Sequence, residues 1–279
     1  MPIPYTADAF PGFKFGADPE LFVVDLDGEF VSAEGLIPGT KEEPYKVPGG
    51  AIQVDGMAAE FNIDPVTSFE EFNGNIMKVM KTLKRMLPQG YDLRCVPTAT
   101  FSEKVWEETP DIAKILGCTP DFNAWTGSVN PPPNTDATPR LRTASGHVHI
   151  GWTEDGDISD KDYVRNCRDL VKQLDYYLGA WSLDVDPDPV RRKLYGKAGA
   201  MRFKPYGAEY RVLSNFWLKS AAGRRAVWNR MQKAIFSMRT GFLPEVAGAA
   251  FNELVIQSIN ESKMHPSLAA NFHMPILTI

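Results

Sequence analysis

Cysteine is scarce in this sequence, and so is histidine: 279 residues hold three of the first and four of the second. Cys95, Cys118 and Cys167 lie far apart with no C-x-x-C pair. That excludes a closed structural zinc site and a dense disulfide framework. An odd, dispersed set reads as reduced thiols in a cytosol-like compartment. No window approaches the run of about 18 apolar residues that a spanning helix needs, so no membrane partner is expected. The opening MPIPYTADAF has neither a basic n-region nor an apolar h-region, and the expectation is a chain without a signal peptide, located in the cytoplasm. An excess of basic charge is missing too. The formal net charge is −5, which argues against nucleic acid held by bulk charge. No internal repeat and no clear dividing linker stand out, so a single domain over residues 1–279 is expected.

What is present is an ordinary globular composition, 43% hydrophobic and 23% charged, enough for a sizeable core. Residues 13–25 read as a strand, with a turn at Asp27-Gly28 and a return over 29–34. Residues 35–50 form a Gly- and Pro-rich loop. Residues 51–63 read as another strand, with Gly56 as a bulge or turn. Ser68 followed by Glu71 is a capping-box signal. Phe69, Phe72, Ile76, Val79, Met80, Leu83 and Leu87 then keep a helical period. Residues 92–101 resemble a strand, 117–144 a long ordered loop, and 184–204 a basic loop. Ser159 is placed to cap a helix running to about Trp181. Two more helices are expected over 219–241 and 245–260. Strands mixed with helices and at least one hairpin give an α+β class with a largely antiparallel sheet.

Four strands share an anomaly. Residues two apart in a strand point to the same face. Asp18 and Glu20 share a face opposite Leu21 and Val23. Glu60 and Asn62 share one opposite Phe61 and Ile63. In SGHVHIGW, residues 145–152, His147 and His149 share one opposite Val148 and Ile150. Glu209 and Arg211 share one opposite Tyr210 and Val212. A sheet with one wet side explains any single strand. The residue types favour a second reading, because wet faces use Lys, Thr and Gln freely. Asp18, Glu20, Glu60, His147 and Glu209 are the candidate metal ligands, an oxygen-rich set suited to Mg²⁺, with Mn²⁺ also tolerated.

Divalent cations of this kind accompany phosphates, and residues 189–211 supply Arg191, Arg192, Lys193, Lys197, Arg202, Lys204 and Arg211. Guanidinium forks bind phosphate or carboxylate in bidentate fashion. A Walker-type G-x-x-x-x-G-K-[ST] loop is absent. Arg140 and Arg142 add a basic pair just before the histidine strand. A solvated basic loop is the plain alternative.

Taken in order, FGADPELFV, AAEFNIDP, SGHVHIGW and KPYGAEYRVLSNFW resemble segments of the phage-type carboxylate–amine ligases, in the glutamine synthetase and glutamate–cysteine ligase superfamily. The likeness runs over about residues 13 to 218. It implies a curved antiparallel sheet shaped as a funnel and backed by helices. It implies an ATP- and Mg²⁺-dependent ligase that joins a carboxylate to an amine, and a location in the host cytoplasm if a phage encodes it. Asp18 and Glu20 correspond to the acidic pair of the first strand, Glu60 to the second-strand glutamate, His147 to the metal-binding histidine, and Glu209 and Arg211 to the late E-x-R. Asp18 stands where glutamine synthetases have glutamate. Their additional upstream glutamate has Asp55 as its nearest acid here, and its role stays open. Neither adenylylation nor ammonia-pocket features are recognisable, so glutamate and ammonia are not inferred as substrates.

On this reading Arg211 and Arg202 steady the transferred phosphoryl group and the tetrahedral intermediate. Arg191, Arg192, Lys204, His149, Arg140 and Arg142 contact nucleotide or substrate, and small-molecule or peptide acids and amines are the partners. His149 has a purely structural alternative, and His265 and His273 receive no role. A homo-oligomer is compatible with the sequence. Two rivals stand beside the ligase: a metal-dependent hydrolase built on H-x-H, and a binding or structural phage protein that keeps the fold without turnover.

Overall fold

Alternation turns the first polar–apolar segment into strand β1 (Lys14–Val24), which runs through the middle of a large antiparallel sheet. In this computed structural model, residues 12–115, 121–133, 138–186, 188–241 and 247–268 are described. The sheet runs β3 (Tyr45–Val47), β4 (Gly50–Asp55), β5 (Ala58–Ile63), β1, β10 (Gly146–Gly151), β12 (Gly207–Tyr210), β11 (Ala200–Lys204), β8 (Phe122–Asn123). Every neighbouring pair on this path is antiparallel. β2 (Phe30–Val31) and β6 (Asp92–Arg94) extend the far end of β1, and β7 (Thr98–Thr100) pairs separately with β9 (Leu141–Thr143).

Helices cover one face. Helix α1 (Phe69–Met86) begins where Ser68 Oγ accepts the Glu71 amide, while the Glu71 carboxylate accepts the Ser68 hydroxyl at 2.9 Å. Its buried stripe is Phe72, Ile76, Val79 and Leu83. Two short helices, α2 (Glu103–Glu108) and α3 (Asp111–Lys114), follow β7. Helix α4 (Lys161–Leu174) passes through a π-turn, Asp175–Gly179, into α5 (Ala180–Val185). Then come α6 (Pro189–Leu194), a 3₁₀ turn at Asn215–Lys219, α7 (Ala221–Arg239) and α8 (Ala249–Glu261). Phe15, Ala17, Leu21, Phe61, Val148, Ile150 and Tyr210 bury their side chains in one core with α1, α4 and α7. Trp228 joins the layers, with its ring 4.7 Å from Phe15 and 5.4 Å from Phe72. Each fully buried aliphatic or phenyl group contributes about 1.5–3 kcal/mol, so this face anchors the strands and leaves the other free for chemistry.

Several expectations change. Residues 51–63 are a hairpin of two strands, because Gly56 takes φ +59° in a two-residue turn. The expected strand over 92–101 is two short strands, β6 and β7. Asp160, one residue past Ser159, caps α4. The expected basic loop over 184–204 contains α6, capped by Asp188 with Pro189 in its first turn, and then β11. The expected loop over 117–144 holds β8 and β9 among its described residues. Cys118 and His273 lie outside the described residues, whereas Cys95 and Cys167 are free thiols. No described helix is long and apolar enough to cross a membrane.

Candidate active site

Register assembles the site. Opposed residues of an antiparallel pair point to the same face. Asp18 lies opposite His147, Glu20 opposite Glu60, Gln53 opposite Glu60, and His149 and Arg202 both opposite Glu209. Eight side chains scattered over some two hundred positions therefore share one face. Gly146 makes the histidine strand fit, since a Cβ there would lie 2.3 Å from the Ser214 carbonyl and 2.5 Å from Trp217 Nε1.

Two groups of candidate metal ligands result, each with its donor atoms within 4.8 Å of one another: Asp18, His147 and Glu209, and beside it Glu20, Asp55 and Glu60. Asp18, Glu20, Asp55, Glu60 and His147 border a cavity of about 280 Å³. A second cavity, about 710 Å³ and mostly apolar, shares Asp18, Lys41, Gln53 and Glu60 with the first. It continues past His149 to Trp152, Tyr206, Ile63 and Pro65.

The two groups differ electrically. Burial and the neighbouring Asp55 push Glu20 up to about 7, although the Ser145 amide donates to it at 2.7 Å. Burial, then Asp18, Asp55 and Glu20, hold Glu60 well above the usual carboxylate range. Gln53 donates to Glu60 at 2.9 Å, and Lys41 sits 2.6 Å from Asp55. In the other group, burial also works against Glu209, but Arg211, His149 and His147 overcome it and hold the carboxyl down at about 2. Arg211 bonds Glu209 and Asp121, Lys204 Nζ lies 2.8 Å from Glu209 Oε2, and Arg202 Nη1 is 3.7 Å from Oε1. Asp18 is held well below its usual value against its own burial by His149, at 2.9 Å, and by His147. His149 is raised in turn; the cost of burying it is outweighed by Asp18. Burial and Arg211 lower His147, which keeps the imidazole neutral and able to donate a lone pair.

The pair in H-x-H thus divides its work. His147 joins a ligand group, whereas His149 braces Asp18 with Nε2 and meets the Tyr206 hydroxyl at 2.6 Å with Nδ1. Arg202, Lys204, Arg211 and Arg142 border the smaller cavity. Arg140 borders neither cavity. Arg191 and Arg192 border neither as well, and each is 2% exposed. Arg191 donates to the Val212 carbonyl at 2.7 Å and to Ser145 Oγ at 3.2 Å, and Arg192 donates to Ser182 Oγ at 2.8 Å. These three arginines, expected to contact nucleotide or substrate, stand apart from both cavities: α6 turns Arg191 and Arg192 inward, and Arg140 lies in the turn before β9. Asp121 and Gln53 enter the site without any motif to announce them, and Asp55 and Tyr206 enter it without a role assigned from the sequence. Behind the sheet, Asp175 accepts from Trp125 Nε1, the Gly199 amide and the Tyr210 hydroxyl at 2.6–2.7 Å, fixing Tyr210 between Glu209 and Arg211.

No protein-family model matches the sequence, and no curated protein matches it either. Among solved structures, the chain is similar to a bifunctional glutathione synthetase from Pasteurella multocida, with 12% identity and a TM-score of 0.46. That alignment covers 94% of this chain and 46% of the other, so the chain spans about half the length of that protein.

Proposed function

We propose that the protein is an ATP-dependent ligase that joins a carboxylate to an amine through an acyl phosphate, with Mg²⁺ as its metal and Mn²⁺ tolerated. The observation that carries the reading is the pair of adjoining ligand groups on one sheet face, next to Arg202, Lys204 and Arg211. Their donor set fits the metal. Five carboxylates and one imidazole are hard, oxygen-rich ligands. Asp18 Oδ1 and Glu209 Oε2 are shielded from solvent and, although they face cations, accept no well-aligned hydrogen bond. Glu20, Asp55 and Glu60 repel one another, which a divalent cation would relieve.

Divalent ions held there would neutralise charge on the nucleotide phosphates during transfer. The apolar cavity suits a nucleotide base, with Trp152 and Tyr206 as its aromatic walls. Phosphates entering from it would meet the shared wall at Asp18 and then Lys204, Arg202 and Arg211. The smaller cavity takes the carboxylate substrate. One of its oxygens bonds to the γ-phosphorus as the bond to the ADP oxygen breaks. The amine nitrogen then bonds to the acyl carbon as phosphate departs and one N–H proton is lost. Arg211 and Arg202 act by placing fixed positive charge where negative charge gathers.

Hydroxylamine tests this directly, because it converts an acyl phosphate into a hydroxamate. Incubation with MgATP, hydroxylamine and a panel of carboxylates should yield hydroxamate and ADP in equal amounts. ADP release without any hydroxamate across the panel, or hydrolysis that runs unchanged without ATP, would overturn the reading; the second outcome would favour the hydrolase.

A further inference from the structure

Asp175 borders neither cavity, yet three strands that build the cationic wall converge on it. It is fully buried at the start of the π-turn, and its carboxyl takes one donor from each of three segments. Trp125 Nε1 donates to Oδ2 at 2.6 Å. Trp125 follows β8, and Asp121, just before β8, holds Arg211. The Gly199 amide donates to Oδ2 at 2.7 Å, one residue before β11, the strand of Arg202 and Lys204. The Tyr210 hydroxyl donates to Oδ1 at 2.7 Å from the last residue of β12, between Glu209 and Arg211. The helix leaves room for this meeting. A Cβ at Gly179 would lie 2.7 Å from the Tyr210 hydroxyl and 3.2 Å from Asp175 Oδ1. Single π-turns inside helices concentrate at functional sites. Burial pushes Asp175 up to about 7, against the three hydrogen bonds and the charge of Arg192. An acceptor rather than a charge is what its neighbours use.

We propose that Asp175 is the positioning residue of the cationic wall: it tethers β8, β11 and β12 from the helix side and so sets where Arg202, Lys204 and Arg211 stand. None of these strands carries Glu20, Asp55 or Glu60, so the acidic half is held independently. A displacement of about 1 Å in a group aimed at a reacting centre costs about a hundredfold in rate. The tether therefore acts on turnover without touching nucleotide or substrate. It deepens the ligase reading and rests on it only for the turnover assay.

Hydrogen exchange by mass spectrometry and MgATP turnover, both on the full chain, read the tether separately. D175A should exchange at least about tenfold faster over residues 121–126, 197–204 and 207–211, the scale of one lost buried hydrogen bond. Residues 50–63 should keep the wild-type rate. Turnover should fall about a hundredfold. D175N is the rescue. Its carbonyl oxygen can accept both N–H groups, while its amide donates to a Tyr210 hydroxyl that reverses direction. It should restore the exchange pattern and most of the turnover. Y210F deletes one of the three donors and leaves the carboxyl in place. It should loosen 207–211 most, lose about tenfold in turnover, and decide the matter if D175A does not fold. Faster exchange spread evenly over the sheet, full turnover in D175A and Y210F, or a D175N as impaired as D175A would overturn the tether. A wild type that makes no hydroxamate sinks the ligase reading alone, and the exchange pattern still decides the tether.

Discussion

The two ligand groups meet at β1, where Asp18 and Glu20 stand two residues apart, and they have opposite electrostatic character. Glu20, Asp55 and Glu60 are nearly all acid, with Lys41 as their neighbouring cation. Asp18, His147 and Glu209 are surrounded by Arg211, Arg202, Lys204 and His149. Burial, with the repulsion of neighbouring carboxylates behind it, lets Glu20 and Glu60 keep protons, whereas Asp18 and Glu209 shed them because the cations around them outweigh their burial. A bound ion would thus have a different task in each half. In the acidic half an ion would remove a standing repulsion. In the balanced half it would add positive charge to an existing cationic wall, where a phosphoryl group gains most from it.

Amide replacements break this comparison most sharply. E20Q should lower Mg²⁺-dependent ATP turnover by about a thousandfold, on the scale seen when one electrostatic catalytic contact is removed. Phosphate release in a coupled assay measures it, and undiminished turnover would remove Glu20 from the ligand set. E209Q should destabilise the metal-free protein by about 3 kcal/mol, because Arg211 and Lys204 lose a buried partner. A urea titration reads that loss. The acidic half should respond the other way. E60Q is expected to stabilise the metal-free protein by about 1 kcal/mol and to abolish stabilisation by magnesium, since an amide can still accept from Gln53 but no longer repels Asp18, Asp55 and Glu20. A stability loss in E60Q would mean that the groups are not electrically distinct.

The pH dependence is expected to lie between these effects, at about 2 kcal/mol. Glu20 and Asp175, each pushed to about 7 mainly by burial, and Glu60 keep protons in the folded chain that the unfolded chain has lost. Their contribution is complete below the ordinary carboxylate value and fades as pH rises toward 7. His149 acts in the same direction and His147 in the opposite one. Urea midpoints for the metal-free protein should fall between pH 5 and 7.5, and saturating magnesium should flatten the slope.

How much of this was legible depended on range. Strand parity alone put Asp18 with Glu20 and His147 with His149, and the helical period marked the buried stripe of α1. Asp55 escaped because Gly56 reads equally as a bulge or a turn, and only the turn makes a hairpin that sets Gln53 across from Glu60 and brings Asp55 to Glu20. Asp121 reaches Arg211 from 90 positions away, a contact without local periodicity. The basic run misled for a related reason: charge alone does not say whether Arg191 meets solvent, phosphate or the carbonyl of Val212.

Side-chain alternation is a property of neighbouring residues, so the order of letters already separated an apolar face from an ionisable one. Which carboxylates would share an ion and which are neutralised by arginine followed only from strand register and burial. Those depend on long-range pairing, and electrostatic energies change steeply over a few ångströms in a medium that excludes water.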